Sequence, residues 1–426
     1  MTRGPAKTIL EPNVILRSQA YHYNGLEAWD FLPDGGGVVM VSKSSSAAFT
    51  TADGRRWNGN SELREIAWDG ALRRSSVVAC TGRNANYNAA SHECRVDRGS
   101  PGLSTVFTVR YAVRFYADEE VPILNFPGVP AKPVHANAFA GAKIATWDRS
   151  TGALADVYDM FDLASPDDAL FPSTTWSTMS VYCSGAGDGD AALLPTFDYH
   201  HVDAVSLGSD GDLVVSSRTL NTVWGLARDG SGANWALSSS LNASRYAYTF
   251  YAFERPADAF YAPHAAVQLA SGRLLLVDDG DSRPGCTNAV SAGCFSRVVE
   301  YELDAATSTA RLVWQFEWGV ELAGGTNATW TEAMLHDGYN PVGGSVYELP
   351  SGHLLVGFTS VAAMQRKWNP KGTAPIFEFA PRDTGSGYDL VAKLLLPEPL
   401  ANNGLQNAYR VVPWSQVHAE STARPS

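Results

Sequence analysis

The sequence predicts an all-β protein, a β-propeller. Three observations lead there: apolar runs of strand length bounded by turn formers, a hairpin pattern that recurs along the chain, and few stretches of helical periodicity. The 426 residues include 38 Gly and 23 Pro, and 12 Trp, 17 Tyr and 17 Phe are scattered among short apolar segments, the composition of many strands joined by turns. With 45% hydrophobic and 18% charged residues, the chain can bury a large core. No run approaches the ~20 apolar residues of a membrane-spanning helix.

Taken in order, the hairpins are AWDFLPDGGGVVMV from residue 28, KIATWDRSTGALADVYD from 143, DAVSLGSDGDLVVS from 203, TVWGLARDGSGANWAL from 222, AAVQLASGRLLLVD from 265, RVVEYELDAATSTARLVWQFE from 297 and GSVYELPSGHLLVG from 344. Each has two apolar strands about a polar or Gly-containing turn. Two hairpins in succession make four antiparallel strands, the composition of a propeller blade, and radial repetition leaves only short, protected sheet edges. The turn glycines Gly211, Gly272 and Gly352 are unevenly spaced, so loops of variable length join the units. A β-sandwich is the architectural rival. No low-complexity linker divides the chain, so residues 1–426 are read as one domain, in which 131–426 carry the candidate site and 1–130 add further β structure.

Acidic residues outnumber basic ones by 44 to 32, a net charge of -12, and no Lys/Arg cluster stands out. This argues against a nucleic-acid or anionic-membrane surface, so any anion must be met by local groups. Of five cysteines, Cys286 and Cys294, and Cys80 and Cys94, form short-range pairs across Gly, Asn and Ser loops that could close as disulfides. Cys183 is left over. Asn242 in NAS and Asn327 in NAT fit the glycosylation acceptor pattern. These features lean toward a secretory, extracellular or periplasmic setting. The opening MTRGPAKTILEPNVIL has no apolar signal-peptide core, which leaves an incomplete start or an intracellular chain as readings.

The chemistry-bearing residues gather at strand ends. In FDYHHVDAVSL, His200 and His201 open a strand, where side chains face a loop rim. Alternation lets only one of the pair face the channel, and matching HVDAV to HAAV at 264 selects His201, with His264 at the equivalent place in the next hairpin. The loop VDDGDSRPG places Arg283 beside Asp278, Asp279 and Asp281. A guanidinium near two imidazoles suits sulfate, phosphate or carboxylate. The acids could orient the arginine or form an acidic turn; no EF-hand-like spacing argues for a metal. Tyr199, Tyr261, Trp224 and Tyr409 could wall a phenol-shaped site or simply pack.

The stretch DYHHVDAVSLGSDGDLVVSSRTLNTVWGLARDGSGANWAL, with APHAAVQLASGRLLLVDDGDSR and SRVVEYELDAATSTARLVWQFEW, resembles the bacterial arylsulfate sulfotransferases, which use no nucleotide sulfate donor. LQNAYRVVPW, with Tyr409, is similar to that family's closing Tyr-Arg segment. The resemblance implies six blades, transfer of a sulfuryl group from a phenolic sulfate ester to a phenol, and no cofactor. It carries the active-site roles to His201, His264 and Arg283, and leaves His336 or His353 for the histidine that becomes sulfated. This chain departs from the family's pattern at Asp203 and Asp279, where Asn is usual, and at Pro263, where Gln is usual. A non-enzymatic binding or scaffold propeller and a sulfate or phosphate ester hydrolase are the competing functions.

Overall fold

Alternating apolar residues pair across Gly-containing turns along most of the chain, and the strands assemble into four-stranded antiparallel units. The computed structural model describes residues 26–32, 36–43, 61–78, 90–115, 121–122, 135–136, 138–165, 178–180, 195–281, 283–286, 294–317, 339–340, 343–358, 373–383 and 386–397. Blade 1 is β1 (Leu26–Phe31), β2 (Gly37–Lys43), β3 (Ser61–Ala67) and β4 (Leu72–Val78). Blade 2 comprises β5 (Ala90–Val96) and β6 (Thr105–Phe115), followed, after the small pair β7 (Val121–Pro122) and β8 (His135–Ala136), by β9 (Ala138–Asp148) and β10 (Leu154–Asp159). Two further strands, β11 (Thr178–Ser180) and β12 (Pro195–Asp198), extend this sheet, with β12 running parallel to the start of β9.

Blade 3 is β13 (Val202–Leu207), β14 (Leu213–Ser217), β15 (Thr222–Leu226) and β16 (Ala233–Ser238). After it, β17 (Thr249–Phe253) lies parallel to both β16 and the last strand of blade 4. Blade 4 is β18 (Pro263–Gln268), β19 (Leu274–Asp278), β20 (Arg297–Asp304) and β21 (Thr309–Glu317); blade 5 is β22 (Gly344–Glu348), β23 (Leu354–Phe358), β24 (Thr373–Pro381) and β25 (Tyr388–Pro397). The first strands β1, β5, β13, β18 and β22 neighbour one another in that order. Meanders set side by side through their first strands are the blades of a β-propeller. The described residues build five blades, and the implied count of six reaches beyond them.

The only α-helix among the described residues is the single turn α1 (Met160–Leu163), started by Asp159, whose side chain accepts from Phe161 N at 3.1 Å.

The core lies between blade faces. Val39, Val41, Leu63, Val96 and Trp147 pack between blades 1 and 2; Val109, Ile144, Val205, Val215 and Trp224 between 2 and 3; Val223, Leu237, Leu274 and Val299 between 3 and 4; Leu275, Val298, Val356 and Phe377 between 4 and 5. Facing blades do not share a backbone ladder there, so the exposed edge of each first strand needs other partners. Buried acids supply several. Asp30 Oδ2 of β1 accepts from Val96 N of β5 at 2.9 Å, and Glu93 Oε2 of β5 accepts from Val205 N of β13 at 3.0 Å. Between blades 3 and 4 the Ser206 hydroxyl donates to Ala266 O at 2.8 Å.

Cys286 and Cys294 form the expected disulfide, with Cα atoms 4.6 Å apart. Cys94 is fully buried in the core between blades 1 and 2; its proposed partner Cys80 lies outside the described residues, as does Cys183. No helix of the described residues is long and apolar enough to cross a membrane.

Glu93 is fully buried and holds both Val205 N and, through Oε1, Cys94 N at 2.9 Å. Glu93→Ala is expected to destabilise the protein by about 3 kcal/mol, because two buried N–H groups lose their acceptor. Glu93→Gln should recover part of this, since its amide oxygen still accepts. Urea denaturation midpoints measure both; an unchanged midpoint in Glu93→Ala would refute the role.

Candidate active site

The ends of β13 and β18 where the histidines stand are irregular. Both strands carry a bulge, β13 between Val202 and Ala204 and β18 between His264 and Val267, and His201, Ala262 and Ala265 adopt left-handed φ values of 36°, 53° and 51°. Such backbone re-aims side chains and concentrates at functional sites. The turns fix the correspondence between the two blades: Gly208 N bonds Asp212 O and Leu269 N bonds Arg273 O. Counted back from these turns, His264 matches Asp203, and His201 matches Ala262. The sequence reading that the two histidines occupy equivalent positions is therefore corrected. The HVDAV and HAAV strings look alike, but hairpin register, not string similarity, decides which residue faces where.

The matched pair Asp203 and His264 meet across the blade boundary. His264 Nε2 lies 3.0 Å from Asp203 Oδ2 and Nδ1 lies 2.8 Å from Asp279 Oδ2 and 3.3 Å from Ala262 O, with all three side chains buried. Both ring nitrogens face carboxylate oxygens, which only accept, so the ring that satisfies both is the imidazolium. Burial works against that charge, but Asp203 and Asp279 outweigh it and the His264 pKa is pushed up to about 10. Burial pushes Asp279 up to about 6, against the opposing pull of the imidazolium. The Ser216 hydroxyl holds Asp203 Oδ1 at 2.6 Å, and Gly343 N, just before blade 5, donates to Asp279 Oδ2 at 2.9 Å. The two positions where this chain has Asp for the family's Asn are thus the two that grip His264.

The other acids of the VDDGDSR loop take arginines, Asp278 two and Asp281 one. Asp278 accepts from Arg283 Nη2 at 2.6 Å and Arg297 Nε at 2.7 Å, and its second oxygen accepts from Tyr261 N at 2.9 Å. Arg283 is buried, with its guanidinium 4.0 Å from the centre of the Phe295 ring and 5.2 Å from that of Tyr261, positions of cation–π attraction. Gly280, at φ 75°, makes the tight turn possible: a Cβ there would stand 2.1 Å from Phe295 O. Asp281 pairs with Arg218 and accepts from the Tyr339 hydroxyl at 3.1 Å. Burial and then Asp281 keep that phenol protonated. The loop is an arginine- and histidine-orienting turn, and no cluster of metal-ligand type occurs among the described residues.

His201 is half-buried at the rim, and its carbonyl accepts from Arg218 N at 3.1 Å. His200 is fully buried: Nε2 lies 3.0 Å from Ala164 O, and Phe161 and Tyr199 stand edge-on at 4.7 and 4.5 Å. Tyr199 is also fully buried, with its hydroxyl donating to Ser165 O at 2.5 Å; the expectation of a substrate-contacting Tyr199 is corrected, because the ring packs between blades. Trp224 is likewise core. Tyr261 remains beside Arg283. His353 closes the β22–β23 turn and pairs through Nδ1 with Glu378 at 2.8 Å. β22, five residues long, puts roughly 16 Å between that turn and Gly343. His336 and Tyr409 lie outside the described residues. Sequence reasoning passed over Arg218, Arg297 and Ser216, although SSR at the end of the hairpin from 203 held two of them in view.

Fold and site define a β-propeller with a buried histidine–carboxylate–arginine cluster where blades 3, 4 and 5 meet. Residues 134–326 match the family described as Arylsulfotransferase (ASST), so the resemblance drawn from the sequence holds over the stretch that contains His201, Arg218, His264 and Arg283. No curated protein matches the chain. Solved structures it resembles include a protein from Lactobacillus plantarum (11% identity, TM-score 0.39, covering 87% of this chain and 70% of that one). Others are a protein of unknown function from Bacteroides caccae (9%, TM-score 0.40, 88% and 82%) and virginiamycin B lyase from Staphylococcus aureus (11%, TM-score 0.35, 90% and 86%).

The raised His264 pKa sets a pH signature. Its unfolded value is near 6.5 and its folded value about 10, so its contribution to stability is complete below about pH 6.5 and is lost as pH rises through about 10. The stability gap between the wild type and His264→Gln is expected to be widest near pH 6 and to close toward pH 10 in guanidinium titrations. A gap that widens with rising pH would contradict a buried imidazolium.

Proposed function

We propose that the protein is an arylsulfotransferase that moves a sulfuryl group from a phenolic sulfate ester to a phenolic acceptor, without a nucleotide donor, at the end of blades 3 and 4. The observation that carries this reading is the gathering of three cationic side chains, Arg218, Arg283 and His264, on Asp281, Asp278 and Asp279 of one loop, with the half-buried His201 joined to Arg218 through its backbone, within the segment that matches the arylsulfotransferase family.

In this scheme a neutral imidazole attacks sulfur, the S–N bond forms and the S–O(aryl) bond breaks. The departing phenolate takes a proton, and the acceptor phenol reverses the sequence. A neutral imidazole is not repelled by the anionic ester. His201, half-buried at the strand end, is the group assigned to carry the proton. Arg283, with its buried Nε not bonded to any described residue, is the donor aimed at sulfuryl oxygens, and Tyr261 beside it contributes a wall for the aryl ring. His264 holds its protons against two carboxylates, so it serves as a fixed charge rather than a proton carrier. Since His353 is engaged by Glu378 at the far turn, the nucleophile's role goes to His336.

The disulfide fits an oxidising, extracellular or periplasmic compartment. Asn242 of the NAS triplet is exposed at the start of a 3-10 turn, as a glycosylation acceptor must be.

The reading is tested with purified protein, 4-nitrophenyl sulfate and a phenol acceptor, no nucleotide added. Release of 4-nitrophenol is expected to rise with acceptor concentration and to fall ~10²-fold or more in His201→Ala, Arg283→Ala and His336→Ala. Release that ignores the acceptor would point to a hydrolase, and no release at all to a binding propeller. A comparable loss in His353→Ala, with His336→Ala active, would reassign the nucleophile.

A further inference from the structure

The Arg283 guanidinium is held by more than its carboxylate. Nη2 donates to Asp278 Oδ2 at 2.6 Å and Nη1 makes a long contact of 3.5 Å to Ala259 O. Its central carbon also sits over the Phe295 ring, 4.0 Å from the centre, and 5.2 Å from the centre of Tyr261. The Phe295 contact is well inside the reach of cation–π attraction, and an arginine fork stacks on such a face. Phe295 is fixed through both chain neighbours. Cys294 is joined by the disulfide to Cys286, whose N donates to Arg283 O at 2.9 Å, and the Ser296 hydroxyl lies 2.9 Å from both Asp279 O and Asn340 O. Gly280 lets the loop close on this pair, since a Cβ there would stand 2.1 Å from Phe295 O and 3.3 Å from Arg283 Nη2. Arg283 is buried whereas Phe295 and Tyr261 are half-buried, so the two rings help to screen the cation from water.

We propose that Phe295 is a positioning residue for anion binding: its ring face holds the Arg283 guanidinium in one plane, so that Nε, which is bonded to no described residue, is presented in a fixed orientation to a sulfuryl or sulfonate oxygen. The inference rests on the reading of Arg283 as the donor to sulfuryl oxygens. Asp278 does not fix the plane alone, because it meets Arg283 through one N–H and shares the same oxygen with Arg297. A long side chain that is still free to turn pays for its ordering when ligand binds. Stacking on Phe295 meets that cost before the ligand arrives. An aliphatic side chain of similar bulk would fill the space without offering a negative ring face, so the effect belongs to the π face rather than to volume.

The test is equilibrium binding of 4-nitrobenzenesulfonate to the full chain by calorimetry. This probe has an S–C bond in place of the ester S–O bond and is no sulfuryl donor, so the outcome is separate from that of the transfer assay. Phe295→Leu, which keeps the apolar bulk, is expected to weaken binding about tenfold. Phe295→Tyr, which keeps the ring face, should stay within about threefold of the wild type. In an Arg283→Lys background, where a point charge has no plane to fix, Phe295→Leu should cost less than about threefold more. Absence of binding to the wild type at millimolar probe, wild-type affinity in Phe295→Leu, an equal loss in Phe295→Tyr, or the full tenfold loss in the lysine background would each overturn the proposal. Sulfonate binding with the expected pattern, but without any transfer from 4-nitrophenyl sulfate, would sink the transferase reading and leave the role of Phe295 standing.

Discussion

The constraint on which the rest of the structure depends is the unpaired edge of each first strand. Among the described residues a blade's first strand is laddered on one side only, and β5, β13 and β18 lie between two neighbouring blades, where an orphaned N–H group costs stability. Asp30 and Glu93 solve this with carboxylates that reach into the next blade. Each brings a charge into the core to satisfy a backbone donor, a strong charge-assisted bond where local dielectric is low. Apolar packing between blade faces supplies the driving force for association, while these acids fix which strand height meets which.

At the boundary between blades 3 and 4 the same device changes character. Asp203 again reaches across, but it meets the His264 side chain rather than a backbone N–H, and Asp279 continues the connection to Gly343 before blade 5. The interblade stitch thereby becomes a line of alternating charges, Asp203, His264 and Asp279, flanked by Arg218 with Asp281 and by Arg283 and Arg297 with Asp278. Charge balance within this cluster is what makes so many buried ionisable groups tolerable. It also holds the His264 ring between two carboxylates, which keep its charge.

Much of the fold was legible because hairpins are local. Every hairpin picked out by alternation and a turn glycine became a strand pair, from β1–β2 to β22–β23, since the residues that decide such a pair lie within a few positions of one another. The parallel pairings of β12 with β9 and of β17 with β16 and β21 left no such mark; their partners are brought together only by tertiary structure. In the loop, arginine orientation was one of the readings left open for the acids, and Asp278 does hold Arg283. What could not be read was register. Counting back from the turns that hold Gly211 and Gly272 aligns His264 with Asp203, whereas matching the strings by their histidines slips the register by two residues. Nor does any local string tell that Tyr199, next to the histidine pair, faces the packing of blades 2 and 3.

The parallel strand β17 has a consequence of its own. By pairing with β16 through Trp235, Ala236 and Leu237 and with β21 through Thr309 and Ala310, it fuses blades 3 and 4 into one continuous nine-stranded sheet, whereas the contact between blades 4 and 5 relies on side chains and isolated bonds. Blades 3 and 4 therefore form a cooperative unit: opening the seam between them requires breaking a backbone ladder as well as separating apolar faces. Amide protons on both sides of that seam share one opening free energy. The histidine cluster sits inside this unit, so its geometry is protected against the fraying that reaches more loosely joined blades first.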